Sequence, residues 1–399
     1  MGNLALEGIK ILDVSTMIAA PFGAALLGDF GAEIIKIEMP HKGDTLRSVG
    51  PFYNNESLRW PALSRNKKSL TLDLHKPAGI ELFKKLIAKV DILIENFRPG
   101  TLEKWGVGYD ELKSINPNLV MIRVSGYGQS GPYREKAGFG TPATAFSGYT
   151  YLQGFADRPP VSPPFSLTDY ITGIYVAFAA VTAIYHRDTH SDGSGQMVDI
   201  ALYESIFRMM EFLIAEYDTY GKIRERTSGL SGHSSPSGTF LTMDGHWIVL
   251  VTSTDSTFER LAKAMEREDL LIDKKFNTNA KRLENSQETN QIVSNWINTM
   301  NRDELLKTLD MFGVPASPIL SIKDIFEDPH YRARENIVEI MHPRMGKIKV
   351  PGIVPKFEKT PGSIRSIAPD LGEHNLEILH EILGLSLKDI IDLKENNII

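Results

Sequence analysis

IKILDVSTMIAAPFGAALLGDFGAEIIKIE, residues 9–38, decides the fold. Residues 9–14 are an apolar run of strand length and 32–38 are a second one. Between them Pro21 opens an apolar helix reaching about Phe30. Proline suits the first helical turn, where an N–H has no partner to lose. Two strands joined through a helix are expected to lie parallel, because a parallel pair needs a long crossover.

The alternation continues outward. Residues 70–74 read as a third strand, 77–90 as an amphipathic helix, 92–95 and 119–124 as further strands, and 109–115 as a helix. Strands separated by helix-length connections predict an α/β chain with a parallel, Rossmann-like sheet. Residues 126–164, rich in Gly, Pro and Ser, read as loops. A long apolar helix is expected over 170–187, a strand over 196–201 and another helix to about Tyr220. Residues 221–238 are the strongest composition break and the best domain boundary. Beyond it Asp244-Gly245 marks a hairpin, and helices at 256–266, 285–299 and 302–312 complete a smaller α+β unit. A last helix is expected near 373–383.

Composition narrows the chemistry. At roughly 100–200 residues per domain, a chain of 399 residues suggests two or three domains. The net charge of −6 and the absence of a long basic block argue against nucleic-acid binding. No run of about 18 apolar residues is evident, nor a charged start followed by an apolar stretch, so the cytoplasm is the expected compartment and no membrane partner is expected. With no cysteine, disulfides, thiolate metal sites and Cys nucleophiles are excluded. A covalent nucleophile must be Ser, Thr, Lys, Tyr, His or a carboxylate.

Several motifs compete for the function. Gly126-Tyr-Gly-Gln-Ser-Gly131 matches G-x-G-x-x-G after a strand, which raises a nicotinamide oxidoreductase as one reading. Pro132-Tyr133 follows where a helix should open, and no acidic residue ends a second strand about 20 residues on. His186 and His190 share a helix face but lack the glutamate of a metalloprotease motif, so no metal is expected. Asp169 stands at the start of the long helix, where an N-cap is the plain reading and an exposed nucleophile the sharper one. Arg98, in Asn96-Phe-Arg-Pro-Gly100, lies at the carboxyl edge of the sheet, placed with Lys104 to clamp an anion. Arg65-Asn-Lys-Lys68 is a second cationic cluster, with Lys67 and Lys68 taken singly as solvated surface charge.

Together these blocks resemble the class III CoA-transferase family, which includes formyl-CoA transferase and the crotonobetainyl-CoA:carnitine transferase. The resemblance rests on Asp13-Val-Ser, Ala20-Pro21, Gly31-Ala-Glu-Ile-Ile-Lys-Ile-Glu38, Arg65-Asn-Lys-Lys-Ser69, Glu95-Asn-Phe-Arg-Pro-Gly100, Ser125-Gly-Tyr-Gly-Gln-Ser-Gly-Pro-Tyr133 and Leu371-Gly-Glu-His374, in order over nearly the whole chain. It implies Asp169 as the nucleophile, carrying CoA as an aspartyl thioester during exchange between an acyl-CoA and a free carboxylic acid. CoA then enters as substrate, with no permanently bound cofactor. The resemblance also implies a large domain built from 1–220 and a returning 326–399, a small inserted domain over 221–325, and an interlocked homodimer. By position, Leu72, Asp73, His75, Asn96, Phe97, Arg98, Lys104, Lys136, Phe139 and Gly140 become CoA contacts.

The sequence departs from parts of that pattern. Met39 stands where some members carry an arginine near the adenine. The loop after Gly232 lacks the glycine run of formyl-CoA transferase, and His233 within it is open between acceptor contact and loop cap. Residues 138–148 look more like members acting on dicarboxylic acids. The same fold houses α-methylacyl-CoA racemases, but Phe139 stands where their histidine base would be.

Overall fold

The computed structural model describes residues 4–190, 193–227 and 232–399. Six parallel strands form the central sheet: β1 (Lys10–Asp13), β2 (Glu33–Glu38), β3 (Lys67–Thr71), β4 (Ile92–Glu95), β5 (Val120–Ser125) and β6 (Met197–Ala201). Their order is β3-β2-β1-β4-β5-β6, with β1 paired to β2 on one side and to β4 on the other. The direction of travel along the sheet reverses between β1 and β4. In open parallel sheets such a reversal leaves a crevice at the carboxyl ends, where ligands bind.

Period-two patterning sends successive strand residues to opposite faces. Ile11, Ile34, Ile92, Val120 and Ile122 enter one core with α1 (Ala19–Asp29) and α2 (Leu167–Thr189). Leu12, Ile35, Leu93 and Met121 enter the other with α3 (Pro77–Ile87) and the C-terminal residues Ile378, Leu379, Ile398 and Ile399. A sheet buried on both faces reads as continuous apolar runs, as residues 9–38 do. Glycine lets α1 and α2 approach closely. A Cβ on Gly23 would lie 2.5 Å from Val176 Cγ1, and one on Gly173 would lie 2.7 Å from the Ala19 carbonyl. Among the described residues, α2 is the one helix long and apolar enough to cross a membrane by length and composition. This differs from the expectation that the chain has no such stretch.

The chain divides into two compact units: Met1–Tyr149 with Ser162–Gly221 and Arg332–Ile399, and Thr150–Val161 with Lys222–Tyr331. Residues 150–161 therefore leave the large unit in which they were expected. Within the second unit Arg226 donates to the carbonyls of Tyr151 (3.0 Å) and Phe155 (3.1 Å), which ties this excursion down. The second unit's sheet has Ser237–Leu241 and Trp247–Val251 antiparallel about the Asp244-Gly245 turn, with Ala316–Pro318 on the outer side. Phe240, Ile248, Phe258, Leu261, Leu305 and Leu309 fill its core.

Other local readings shift. The third strand starts three residues before its apolar run because Lys67 is neutralised inside the sheet. Its Nζ sits 3.0 Å from Asp13 Oδ2, and both side chains are buried. Arg65 pairs with Asp29 at 2.7 Å, and Lys68 with Glu33 and Glu377 at 2.7 Å each, so this cluster is spent on structure. Residues 126–164 are not all loop, since Gly140–Phe146 is helical. The helix expected to reach Tyr220 breaks into Leu202–Phe207 and Glu211–Tyr220. The helix expected near 373–383 is a single π-helical segment, Glu377–Ile382, and it is not the last: a further helix, Leu387–Glu395, starts on a Ser386–Asp389 capping box.

Candidate active site

A cleft of about 220 Å³ opens at the carboxyl ends of β1 and β4, where the sheet reverses. Asp169, Asn96, Phe97, Arg98, Lys136 and Phe139 all line it. The strand ends explain this convergence. β1 runs out into Thr16, Met17, Ile18 and Ala19, β4 into 96–99, and β5 into Ser125 and Gly126. Gly126 and Gly138 meet backbone to backbone, so a Cβ on Gly126 would lie 2.6 Å from Gly138 Cα. That contact draws the segment bearing Lys136 and Phe139 onto the end of the sheet.

Asp169 is the third residue of α2, whose N-cap is Ser166, so it is not the cap itself. A carboxylate in the first helical turn still gains from the dipole. Its carboxyl lies directly on Gly140: a Cβ there would sit 1.8 Å from Asp169 Oδ2 and 2.6 Å from its Cγ. Thr144 fixes the arrangement by donating to the Gly140 carbonyl (2.7 Å) and bonding Thr168 Oγ1 (2.5 Å). Burial pushes the Asp169 carboxyl up to about 6, against a smaller downward pull from its own backbone N–H. Partly buried, without an ion pair among the described residues, it is a more basic carboxylate than a surface aspartate.

The other candidates separate. Asn96 gives its amide to the Thr16 backbone, accepting from Thr16 N–H and donating to its carbonyl, both at 2.8 Å. Arg98 also lines a second, larger cleft of about 710 Å³ with Lys104, Gln129 and Arg134. In the wall of this cleft Arg123 bridges the buried Glu95 and the exposed Glu103, each at 2.6 Å, and Glu95 accepts the Phe97 N–H at 2.7 Å. The loop carrying Arg98 is thus fixed by a pair that sequence reading did not identify.

Leu72 does not reach the cleft, because its side chain is in the core. Asp73 accepts the His75 backbone N–H and contacts its ring, both at 3.0 Å. The His75 ring lies 5.0 Å from Trp105, which lies 5.2 Å from Phe97. His233 belongs to the second unit, where its carbonyl accepts from Asn279 at 2.9 Å.

Thr16, Met17, Ile18, Ala19 and Leu202 line the first cleft unannounced by any motif. The available signal for the first four was position, immediately after a strand beside the expected reversal.

The glycine motif does not act as a dinucleotide turn. Gly131 opens no helix; instead Gly128 adopts φ 90° and donates to Ser125 Oγ at 2.9 Å. The proton-transfer alternative meets a similar obstacle, since no histidine is among the described residues lining the cleft.

Comparison with known proteins agrees with this chemistry. The chain is 45% identical over 401 residues to the succinyl-CoA–L-malate CoA-transferase β subunit of Chloroflexus aurantiacus, covering 100% of this chain and 98% of the relative. It is 42% identical over 395 residues to that organism's succinyl-CoA–D-citramalate CoA-transferase, covering 99% and 98%. The crystal structure of a CaiB/BaiF family protein from Brucella suis superposes with a TM-score of 0.82 at 30% identity, covering 95% of this chain and all of that one. A model of CoA-transferase family III matches residues 6–375. With a carboxylate in a ligand crevice of an α/β fold and relatives of this closeness, the chain belongs to CoA-transferase family III.

Proposed function

We propose that the enzyme transfers CoA to a carboxylic acid through an aspartyl-CoA thioester on Asp169, with succinyl-CoA as donor and a four- or five-carbon dicarboxylic acid as acceptor. The observation that carries this reading is the Asp169 carboxyl at the switch-point crevice, in one cleft with Arg98. The two relatives' succinyl-CoA, malate and citramalate names support the choice of acids.

One Asp169 oxygen attacks the donor's thioester carbonyl and the C–S bond breaks, giving a mixed anhydride and CoA thiolate. The thiolate attacks the Asp169 carbonyl, forming enzyme-bound thioester and releasing succinate. The acceptor carboxylate attacks that thioester, and the freed thiolate then attacks the acceptor's carbonyl of the second anhydride, restoring Asp169. A carboxylate is a weak nucleophile, so orientation must supply much of the barrier reduction, up to about 7–11 kcal/mol in well-oriented systems. The remote part of CoA, bound along the cleft of Arg98 and Lys104, provides the binding energy for that alignment.

The Rossmann-like reading fits the strand order. An interlocked homodimer fits the exposed apolar side chains Phe178, Tyr185, Phe212, Tyr217 and Tyr220 along α2 and Glu211–Tyr220.

Trapping tests the intermediate. Enzyme given succinyl-CoA and then hydroxylamine should acquire a hydroxamate on the peptide holding Asp169; modification at another residue sinks the proposal. Arg98→Ala should lower kcat/KM for succinyl-CoA, with part of the loss in kcat because this binding energy aligns the thioester. Losing a charge-assisted bond to phosphate costs about 1.5–3 kcal/mol, roughly ten- to a hundredfold in kcat/KM.

The pH profile has a definite sign. The attacking form is the ionised one, and Asp169 titrates at about 6. The kcat/KM should therefore fall roughly tenfold between about pH 7 and about pH 5. A flat profile across that range, measured with a donor stable at both values, counts against an anionic Asp169.

A further inference from the structure

Residues 16–19 form one wall of the Asp169 cleft, and side chains hold the backbone of residues 15–17 group by group. Ser15 N–H donates to Asp13 Oδ1 at 3.0 Å, and the Ser15 carbonyl accepts from Lys36. Both polar groups of Thr16 bond Asn96. Met17 N–H donates to Asp44 Oδ1 at 3.0 Å. Met17 itself sits at φ 69°, a left-handed conformation unfavourable for a residue with a side chain. Such backbone persists only where its surroundings over-determine it.

Asp44 joins these restraints. Its Oδ1 also accepts the Leu46 N–H at 2.8 Å, opening the turn at 45–48, while Oδ2 lies 3.0 Å from Lys36 Nζ. Lys36 in turn lies 3.7 Å from Asp13, which pairs with Lys67 at 3.0 Å. All four side chains are buried, so two carboxylates balance two ammonium groups in a sealed site below the cleft. Nothing in the transfer chemistry consumes these charges.

We propose that Asp44 is a positioning residue for CoA transfer: through the Met17 amide and the Lys36 ammonium it fixes the backbone of residues 15–17, and with it the wall that residues 16–19 present to the Asp169 cleft. The inference rests on the transferase reading of that cleft. An aspartate is required because one oxygen must receive the amide while the other faces the ammonium. Asparagine keeps the first function and loses the second; alanine loses both.

The test uses the purified full chain with succinyl-CoA and malate, following kcat/KM, thioester yield by intact mass and the unfolding midpoint. Asp44→Ala should lower kcat/KM for succinyl-CoA by about tenfold or more, and Asp44→Asn should recover part of it. A role in stability alone would move the midpoint without ordering kcat/KM as Asp, Asn, Ala. Parent-like kcat/KM in Asp44→Ala, with the parent active, overturns the inference and leaves the transferase reading intact. An inactive parent overturns the reading beneath it.

Because Asp44→Ala can fail to fold, Met17 supplies a second pair. Met17→Gly accepts φ 69° freely, whereas a β-branched residue there is a backbone outlier. Met17→Val should therefore be about tenfold or more worse than Met17→Gly in kcat/KM, although both shorten the side chain. Valine equal to or better than glycine overturns the proposal.

Discussion

Asp169→Asn is expected to lose CoA transfer by on the order of a thousandfold or more while the chain stays folded, a loss of at least about 4 kcal/mol of transition-state stabilisation. The amide has the shape of the carboxyl, so its seat on Gly140 is retained, but it cannot form an anhydride and regenerate itself. The fold should not suffer. Burial raises the Asp169 pKa above the unfolded value, so the ionised form opposes folding at neutral pH. Removing that charge should leave the unfolding midpoint equal to or above the parent's. Steady-state transfer and intact mass after succinyl-CoA treatment check both parts. A folded Asp169→Asn enzyme turning over at the parent rate would remove the covalent mechanism.

Gly140→Ala should be nearly as damaging although residue 140 bears no reactive group. The new methyl carbon would overlap Asp169 Oδ2 at 1.8 Å and crowd both other carboxyl atoms. Neither partner yields easily. Gly140 is held through Thr144, which also ties down Thr168 beside Asp169. The carboxyl must therefore swing away, and an ångström of misplacement at a reacting centre costs about a hundredfold. We expect kcat/KM to fall by that order, with hydroxylamine trapping at Asp169 lost in parallel. Parent-like kinetics would show that the nucleophile tolerates displacement, contrary to the geometry.

Local patterns made much of the large unit legible. Apolar runs of strand length, separated by helices with proline at the first turn, specify a parallel sheet because few other arrangements bury both faces. The position of residues 96–98 followed from the same logic, since loops at carboxyl strand ends gather where a sheet reverses. Long-range pairing escaped that logic. Lys67 looks like surface charge until Asp13, 54 residues earlier, is brought against it. Asn96 lines the cleft, but no local pattern shows that its amide also holds the backbone of Thr16, 80 residues earlier. Leu72 was chosen by position, but its apolar side chain serves the core. The resemblance singled out Asp169, whereas the surroundings that tune it, Gly140 above all, appear only in three dimensions.

The Cα-to-Cα seat of Gly126 against Gly138 has a consequence for binding. With no side chain between them, the two backbones touch directly, and a side chain at either would pry them open. The flank of the crevice bearing Phe139 is thereby seated on the end of the sheet by the fold itself, before any substrate arrives. Geometry set in this way need not be ordered by the arriving thioester, which lowers the entropy cost of binding on that side.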